Sequence, residues 1–99
     1  MTRGRRRYLV CYDIREPGRL RRVHKTMKEY GWPMQYSVFV SDLDAVELYS
    51  LRERIGDLMH HGEDSVAFVD CGEPGQRGKE CFFFMGISPA LPVAGPIII

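Results

Sequence analysis

Pro17 and Gly31 bracket a helical stripe that begins only three residues after a compact apolar run. That run, Tyr8-Leu9-Val10-Cys11-Tyr12-Asp13-Ile14, is rich in β-formers and reads as a central strand. Pro17 suits the first turn of a helix, and Gly31 suits the position just past its end. Between them Leu20, Val23, Met27 and Tyr30 recur at helical spacing as one apolar stripe, with Arg21, Arg22, Lys25 and Lys28 on the opposite side. His24 lies at the edge of the stripe and reads as a packed or half-exposed side chain rather than a ligand. A strand running straight into an amphipathic helix is a βα unit, so the rest of the chain has to extend or cover the sheet that this unit starts.

Pro33 stops any continuation of the helix. Met34–Ser41 is strand-like, either one bent strand or a tight hairpin pivoting near Tyr36-Ser37. A second helix opens at Asp44 with Glu47 three residues on, an acidic variant of the capping box. Leu48, Leu51, Ile55, Leu58 and Met59 form its buried stripe. Gly56 weakens it by ~1 kcal/mol relative to Ala, a cost that close packing on the sheet would explain. Gly62 reads as its end, which puts His60 and His61 in the last turn. Adjacent helical residues point about 100° apart, so this pair is a poor chelator. Ser65–Cys71 reads as a strand, Gly72–Lys79 as a loop and Cys81–Ile87 as a further strand, on which Phe82 and Phe84 share one face and are expected in the core.

This succession is α+β. Two helices covering one face of an antiparallel sheet give a ferredoxin-like βαββαβ sandwich over residues 1–87. Residues 88–99 form an apolar tail broken by Pro89, Pro92 and Pro96, which rule out an ordinary central strand. Left exposed, Ile97-Ile98-Ile99 would be an aggregation hazard. The expectation is an extra C-terminal edge strand that crosses to a second protomer of a homodimer.

Ninety-nine residues make one domain of modest stability, for which pairing with a second copy is a common remedy. The net charge of +1 hides a strong polarity. Residues 1–28 carry ten Lys and Arg against two acids, and residues 29–99 carry four against eleven, giving +8 and −7. A surface bearing that basic segment favours an anionic partner and disfavours a small-molecule regulatory domain of the same fold. Cys11, Cys71 and Cys81 have neither zinc spacing nor a disulfide framework, and read as buried thiols in a reducing cytoplasm. No secretory signal is evident and no stretch reaches the ~18 apolar residues of a membrane span, so no membrane role is expected.

Asp13 stands out against this basic field. A carboxylate at the mouth of a buried strand is costly unless its charge is used. The surrounding residues, Tyr12-Asp13-Ile14, Arg19-Leu20-Arg21-Arg22-Val23, Gln35-Tyr36-Ser37-Val38-Phe39 after Tyr30-Gly31, and Asp64-Ser65-Val66, together resemble the CRISPR-associated protein 2 family, the small subunit of spacer acquisition. The resemblance spans roughly residues 8–70. It departs from the family at Pro33, where many relatives carry a basic residue, at Val40, where many carry an acid, and in the Pro-rich tail. It implies a homodimer of ferredoxin-like domains that acts as a Mg²⁺-dependent endonuclease on RNA or double-stranded DNA, in antiviral defence and spacer acquisition, beside the CRISPR-associated protein 1 integrase. It further implies Asp13 as catalytic and metal-site acid, and Tyr12, Ser37 and Phe39 as supports of the cleft between protomers. Arg15, Arg19 and Arg22 are expected on the nucleic-acid backbone.

The chemistry is physically workable. Mg²⁺ wants six oxygens and keeps several waters, so one Asp13 per chain makes a poor site, whereas two Asp13 brought together by a two-fold axis make a workable one unless they stand too far apart to share the ion. The cation would relieve their repulsion and polarise the scissile phosphate, with arginines neutralising the phosphodiester. The competing structural role for Asp13 is to cap the following turn or to pair with Arg15 or Arg19. The competing function is a non-catalytic dimeric adaptor that holds DNA and docks the integrase.

Overall fold

The computed structural model describes residues 4–92. β1 (Arg6–Asp13) leads into α1 (Pro17–Tyr30), followed by β2 (Trp32–Gln35), β3 (Val38–Leu43), α2 (Ala45–Leu58), β4 (Ser65–Gly72) and a single helical turn, α3 (Arg77–Glu80). The strands form one antiparallel sheet in the order β2-β3-β1-β4, so β1 is paired on both sides. The first six elements therefore follow the βαββαβ order expected from the sequence.

The pleat sends alternate side chains of each strand to opposite faces. Val10 and Tyr12 of β1 and Phe39 and Leu43 of β3 meet Val23 and Met27 of α1 and Leu51 and Ile55 of α2 in one buried cluster. The intervening β1 residues, Arg7, Leu9, Cys11 and Asp13, belong to the other face, which carries neither long helix. α1 begins as the sequence suggests, with Pro17 at its first position, but its cap is Glu16, whose carboxylate accepts from the Arg19 amide at 2.6 Å. At the other end Gly31 is the capping residue itself, in extended rather than left-handed backbone. Glycine is needed there for space, because a Cβ would run into Ser41 Oγ and the Val40 carbonyl oxygen.

The Met34–Ser41 segment resolves as a hairpin that turns at Tyr36 and Ser37 between β2 and β3. Ser37 is left-handed, with φ 66°, and its carbonyl accepts from the Tyr12 amide at 3.0 Å. α2 opens on the expected capping box: the Glu47 amide donates to Asp44 Oδ1 at 2.8 Å and the Asp44 amide to Glu47 Oε1 at 2.9 Å.

Several expectations need correction. α2 ends at Leu58 rather than at Gly62, so His60 and His61 lie beyond it. The cause is Asp64, which draws the His60 amide to its Oδ2 at 2.8 Å and turns the chain away. Gly56 does not pack on the sheet, since a Cβ there would meet nothing within 4 Å. Cys81 is exposed and Cys11 only half-buried, so Cys71 alone is the expected buried thiol, and the expected 72–79 loop begins on the last residue of β4 and ends in the α3 turn. Finally, Cys81–Ile87 forms no strand. A strand needs a ladder partner for its amides and carbonyls, and this run finds none among the described residues. Phe82 and Phe84 instead stack on each other, with ring centroids 6.0 Å apart, while Phe83, Met85 and Ile87 are exposed. The expected edge strand at Ile97-Ile98-Ile99 lies outside the described residues.

Candidate nucleic-acid interface and acidic site

Asp13 closes β1 opposite Ser65 of β4, on the sheet face without helices. It is exposed, and among the described residues its carboxylate has no hydrogen-bond or ion-pair partner. It borders a shallow hollow of about 300 Å³ with Cys11, Tyr12, Tyr36, Ser37 and Ser65. Tyr12 itself points into the core side, where its hydroxyl meets His24 Nδ1 at 2.9 Å and its ring stacks on Phe39 at 6.3 Å. Burial, reinforced by Tyr36 and opposed by Ser37, pushes the Tyr12 phenol up to about 12. Tyr12, Ser37 and Phe39 thus form one connected support under the end of β1.

The turn-capping role that sequence reasoning allowed for Asp13 belongs to Asp64. Asp64 accepts from the Arg15 amide at 2.9 Å, from the His60 amide at 2.8 Å and from Arg19 Nε at 2.8 Å, with its side chain fully buried. The Arg19 guanidinium, joined by the Arg15 and His60 amides, holds the Asp64 carboxyl far below the usual carboxylate range against the opposing effect of burial. Arg19 also reaches Glu63 at 3.0 Å, and its side chain is only 18% exposed. It is therefore tied into the fold, whereas Arg15 and Arg22 are exposed and form no ion pair among the described residues.

Other basic residues are equally committed. Arg6 pairs with Asp70 at 2.9 Å, and Arg5 with Glu47. Arg7 is 1% exposed and holds Asp42 through Nε at 2.7 Å and Nη2 at 2.9 Å. Two further donors go to the Gly78 carbonyl at 3.1 Å and the Pro92 carbonyl at 3.0 Å, which draws α3 and the following segment over this end of the sheet. The Arg7–Asp42 pair is invisible to sequence reading because its partners lie 35 residues apart and Arg7 sits inside an arginine run. Of the described cations in the basic amino-terminal segment, those that remain unpaired form a belt of Arg15, Arg21, Arg22, Lys25 and Lys28, from the β1–α1 loop along α1.

A divalent cation does not fit one chain. Asp13 supplies a single carboxylate, and no group of three His, Cys, Asp or Glu among the described residues is placed to hold a metal ion. No helix among the described residues is long and apolar enough to cross a membrane.

The family model described as CRISPR associated protein Cas2 matches residues 6–77, from the first residue of β1 to the first of α3. This chain belongs to the Cas2 family. Among its relatives, a CRISPR-associated endoribonuclease Cas2 of Rhodospirillum rubrum is 34% identical over 96 residues, which cover 92% of this chain and 98% of that one. A second, from Thermodesulfovibrio yellowstonii and also named an endoribonuclease, is 49% identical over 59 residues, spanning 60% of this chain and 65% of that protein's length. A crystal structure of a hypothetical protein from Thermus thermophilus superimposes with a TM-score of 0.76 at 32% identity, covering 88% of this chain and 98% of that one. Streptococcus pyogenes Cas2, crystallised at pH 6.5, gives 0.69 at 27% identity, covering 81% and 99%. The Cas2 match takes in Asp13, the free arginines of α1 and the Asp64 hub, and stops short of the Pro-rich tail.

Proposed function

We propose that this chain is a cytoplasmic endonuclease of CRISPR adaptation that cleaves RNA or double-stranded DNA as a homodimer of ferredoxin-like domains. The observation that carries the reading is Asp13: an exposed, unpartnered carboxylate at the end of the central strand, next to unpaired cations. Asp64, by contrast, is held on all sides by the Arg15 and His60 amides and the Arg19 guanidinium. The names of the Rhodospirillum and Thermodesulfovibrio relatives support nuclease chemistry. Because one chain is too poor in donors for Mg²⁺, the proposal places a second Asp13 across a two-fold axis, where the cation would supply Lewis-acid stabilisation of the phosphate. The chain's own contribution is to fix Asp13 through the Tyr12–Ser37 hydrogen bond and to hold phosphates with Arg15 and Arg22. Dimer formation would also give the exposed Phe83, Met85 and Ile87 a cover, with the tail crossing to the partner.

The test is cleavage of RNA and duplex DNA by wild type and Asp13→Asn in Mg²⁺, Mn²⁺ or EDTA. Asp13→Asn is expected to lose cleavage, by ~10²-fold or more if Asp13 acts directly on the reacting phosphate. Equal cleavage by both proteins would mean contamination and would sink the assignment.

A second reading, a non-catalytic adaptor that binds DNA and bridges the CRISPR-associated protein 1 integrase, is favoured by the lone carboxylate per chain. Spacer integration that survives Asp13→Asn while cleavage is lost assigns the physiological role to the adaptor.

A further inference from the structure

A groove of about 580 Å³ lies between α1 and the β2–β3 turn, separate from the Asp13 hollow but sharing Tyr36 with it. Pro17 and Leu20 give it apolar surface, beside the half-buried His24 ring. One wall is Tyr36, which is 79% exposed although its neighbours in the turn are held by the sheet. The rim carries Arg21, Lys25 and Lys28 and no acid. Glu29, one helical turn beyond Lys25, pairs with Arg54 at 2.9 Å and is near enough to Lys25 for that cation to help hold its carboxyl down. The groove therefore combines an exposed aromatic face, apolar surface and three cations with no acid in its own lining. An aromatic ring this exposed on a rigid turn is costly to hydrate and offers a stacking platform, and the three cations suit a phosphate rather than a carboxylate peptide of mixed charge.

We propose that this groove seats one unpaired nucleotide of a single-stranded nucleic acid, with its base stacked on Tyr36 and its phosphates on Arg21, Lys25 and Lys28. A base inside a duplex cannot expose its π-face to Tyr36, so the groove discriminates strandedness. The proposal rests on and deepens the nucleic-acid reading above, since Tyr36 would hand the strand from the groove to the Asp13 hollow. Seating itself needs neither Asp13 nor metal.

The experiment is equilibrium binding by fluorescence anisotropy, in EDTA, of a labelled fifteen-nucleotide oligothymidylate and a blunt duplex of equal length. The proteins are full-length wild type, Tyr36→Leu, a Lys25→Gln/Lys28→Gln double variant, and Asp13→Asn. Tyr36→Leu is expected to weaken single-strand binding about 5- to 160-fold, the range that stacking one base confers, and to leave the duplex within two-fold. The double lysine variant is expected to lower the single-strand salt slope by about 1.4, or ~0.7 for each phosphate that is no longer neutralised. Thymidine 5′-monophosphate is expected to compete far better than inorganic phosphate. Asp13→Asn removes a charge that repels phosphate and is expected to bind the single strand at least as tightly as wild type while losing cleavage, which separates this proposal from the nuclease reading. Three results would each overturn it: Tyr36→Leu binding the single strand within two-fold of wild type, equal losses for single strand and duplex, or equal competition by phosphate and the nucleotide. Tyr36 is exposed in a turn, and matching circular dichroism of the variants excludes misfolding as the cause.

Discussion

Replacing Asp42 by Asn removes one charge and leaves the shape almost unchanged, yet it should be among the most damaging single changes in this fold. Arg7 and Asp42 are 1% and 7% exposed and share two hydrogen bonds of 2.7 and 2.9 Å. The neutral amide would leave the guanidinium buried without a counter-charge, a defect worth about 3–5 kcal/mol. Against the ~5–15 kcal/mol that holds a domain together, that is from about a fifth to the whole of the total. At ~4–8 °C per kcal/mol for a chain of this size, the melting temperature should fall by roughly 12–40 °C. The Gly78 and Pro92 carbonyls hang on the same guanidinium, so the segment over the sheet should become protease-sensitive first. A paired Arg7→Met/Asp42→Leu variant removes both charges and should recover most of the loss, to within ~1–2 kcal/mol of wild type, since an apolar pair of similar volume often matches a buried ion pair. The remaining deficit comes from the two carbonyls that lose their donors. Urea unfolding followed by circular dichroism reads all three proteins, at several protein concentrations so that any association is visible. A loss below ~1 kcal/mol in Asp42→Asn, or a paired variant as unstable as the single one, would refute the reasoning.

Asp64 sets a second expectation. Its folded-state pKa lies below the unfolded value of ~3.9, so its stabilisation is fully present above that pH and is lost as pH falls through the folded value. Stability of the wild type should decline below about pH 4, and the decline should be shallower in Asp64→Asn, with the depressed carboxyls of Asp70, Glu16 and Glu29 supplying the remaining slope. Equal slopes in acid denaturation would remove Asp64 from this role. Gly56→Ala should stabilise the protein by ~0.5–1 kcal/mol, because the added Cβ meets nothing within 4 Å. A loss in the same melting assay would mean that this side of α2 is covered in solution.

The elements legible in the sequence are those with local causes. Pro17, the Leu20–Tyr30 stripe and the Asp44–Glu47 box act within one or two helical turns, and α1 and α2 begin where those residues place them. The end of α2 is not legible because its cause is not local: Asp64, reaching back to the His60 amide, stops the helix before the glycine that would otherwise do so. Glu16 gives little signal as a cap because glutamate is not a favoured capping residue. Cys81–Ile87 has the composition of a strand and lacks only a neighbour, which composition cannot supply.

The charge polarity of the sequence informs in a different way from its first appearance. A segment at +8 beside one at −7 suggests an exposed basic surface, but folding brings much of that charge into ion pairs. Arg5, Arg6, Arg7 and Arg19 each meet an acid from the second segment, and these pairs stitch β1 and α1 to β3, α2, β4 and the loop before β4. The number of basic residues thus overstates the interface, while their position understates it. The described cations of that segment left without partners all lie between residues 15 and 28, in α1 and the loop before it, and Arg21, Lys25 and Lys28 rim the groove that shares Tyr36 with the Asp13 hollow. A strand gripped by that belt would run toward the one unpartnered acid of the central strand. In the proposed reading the interface is marked by Asp13 at the end of the central strand, together with the cations of α1 and the loop before it that form no ion pair among the described residues.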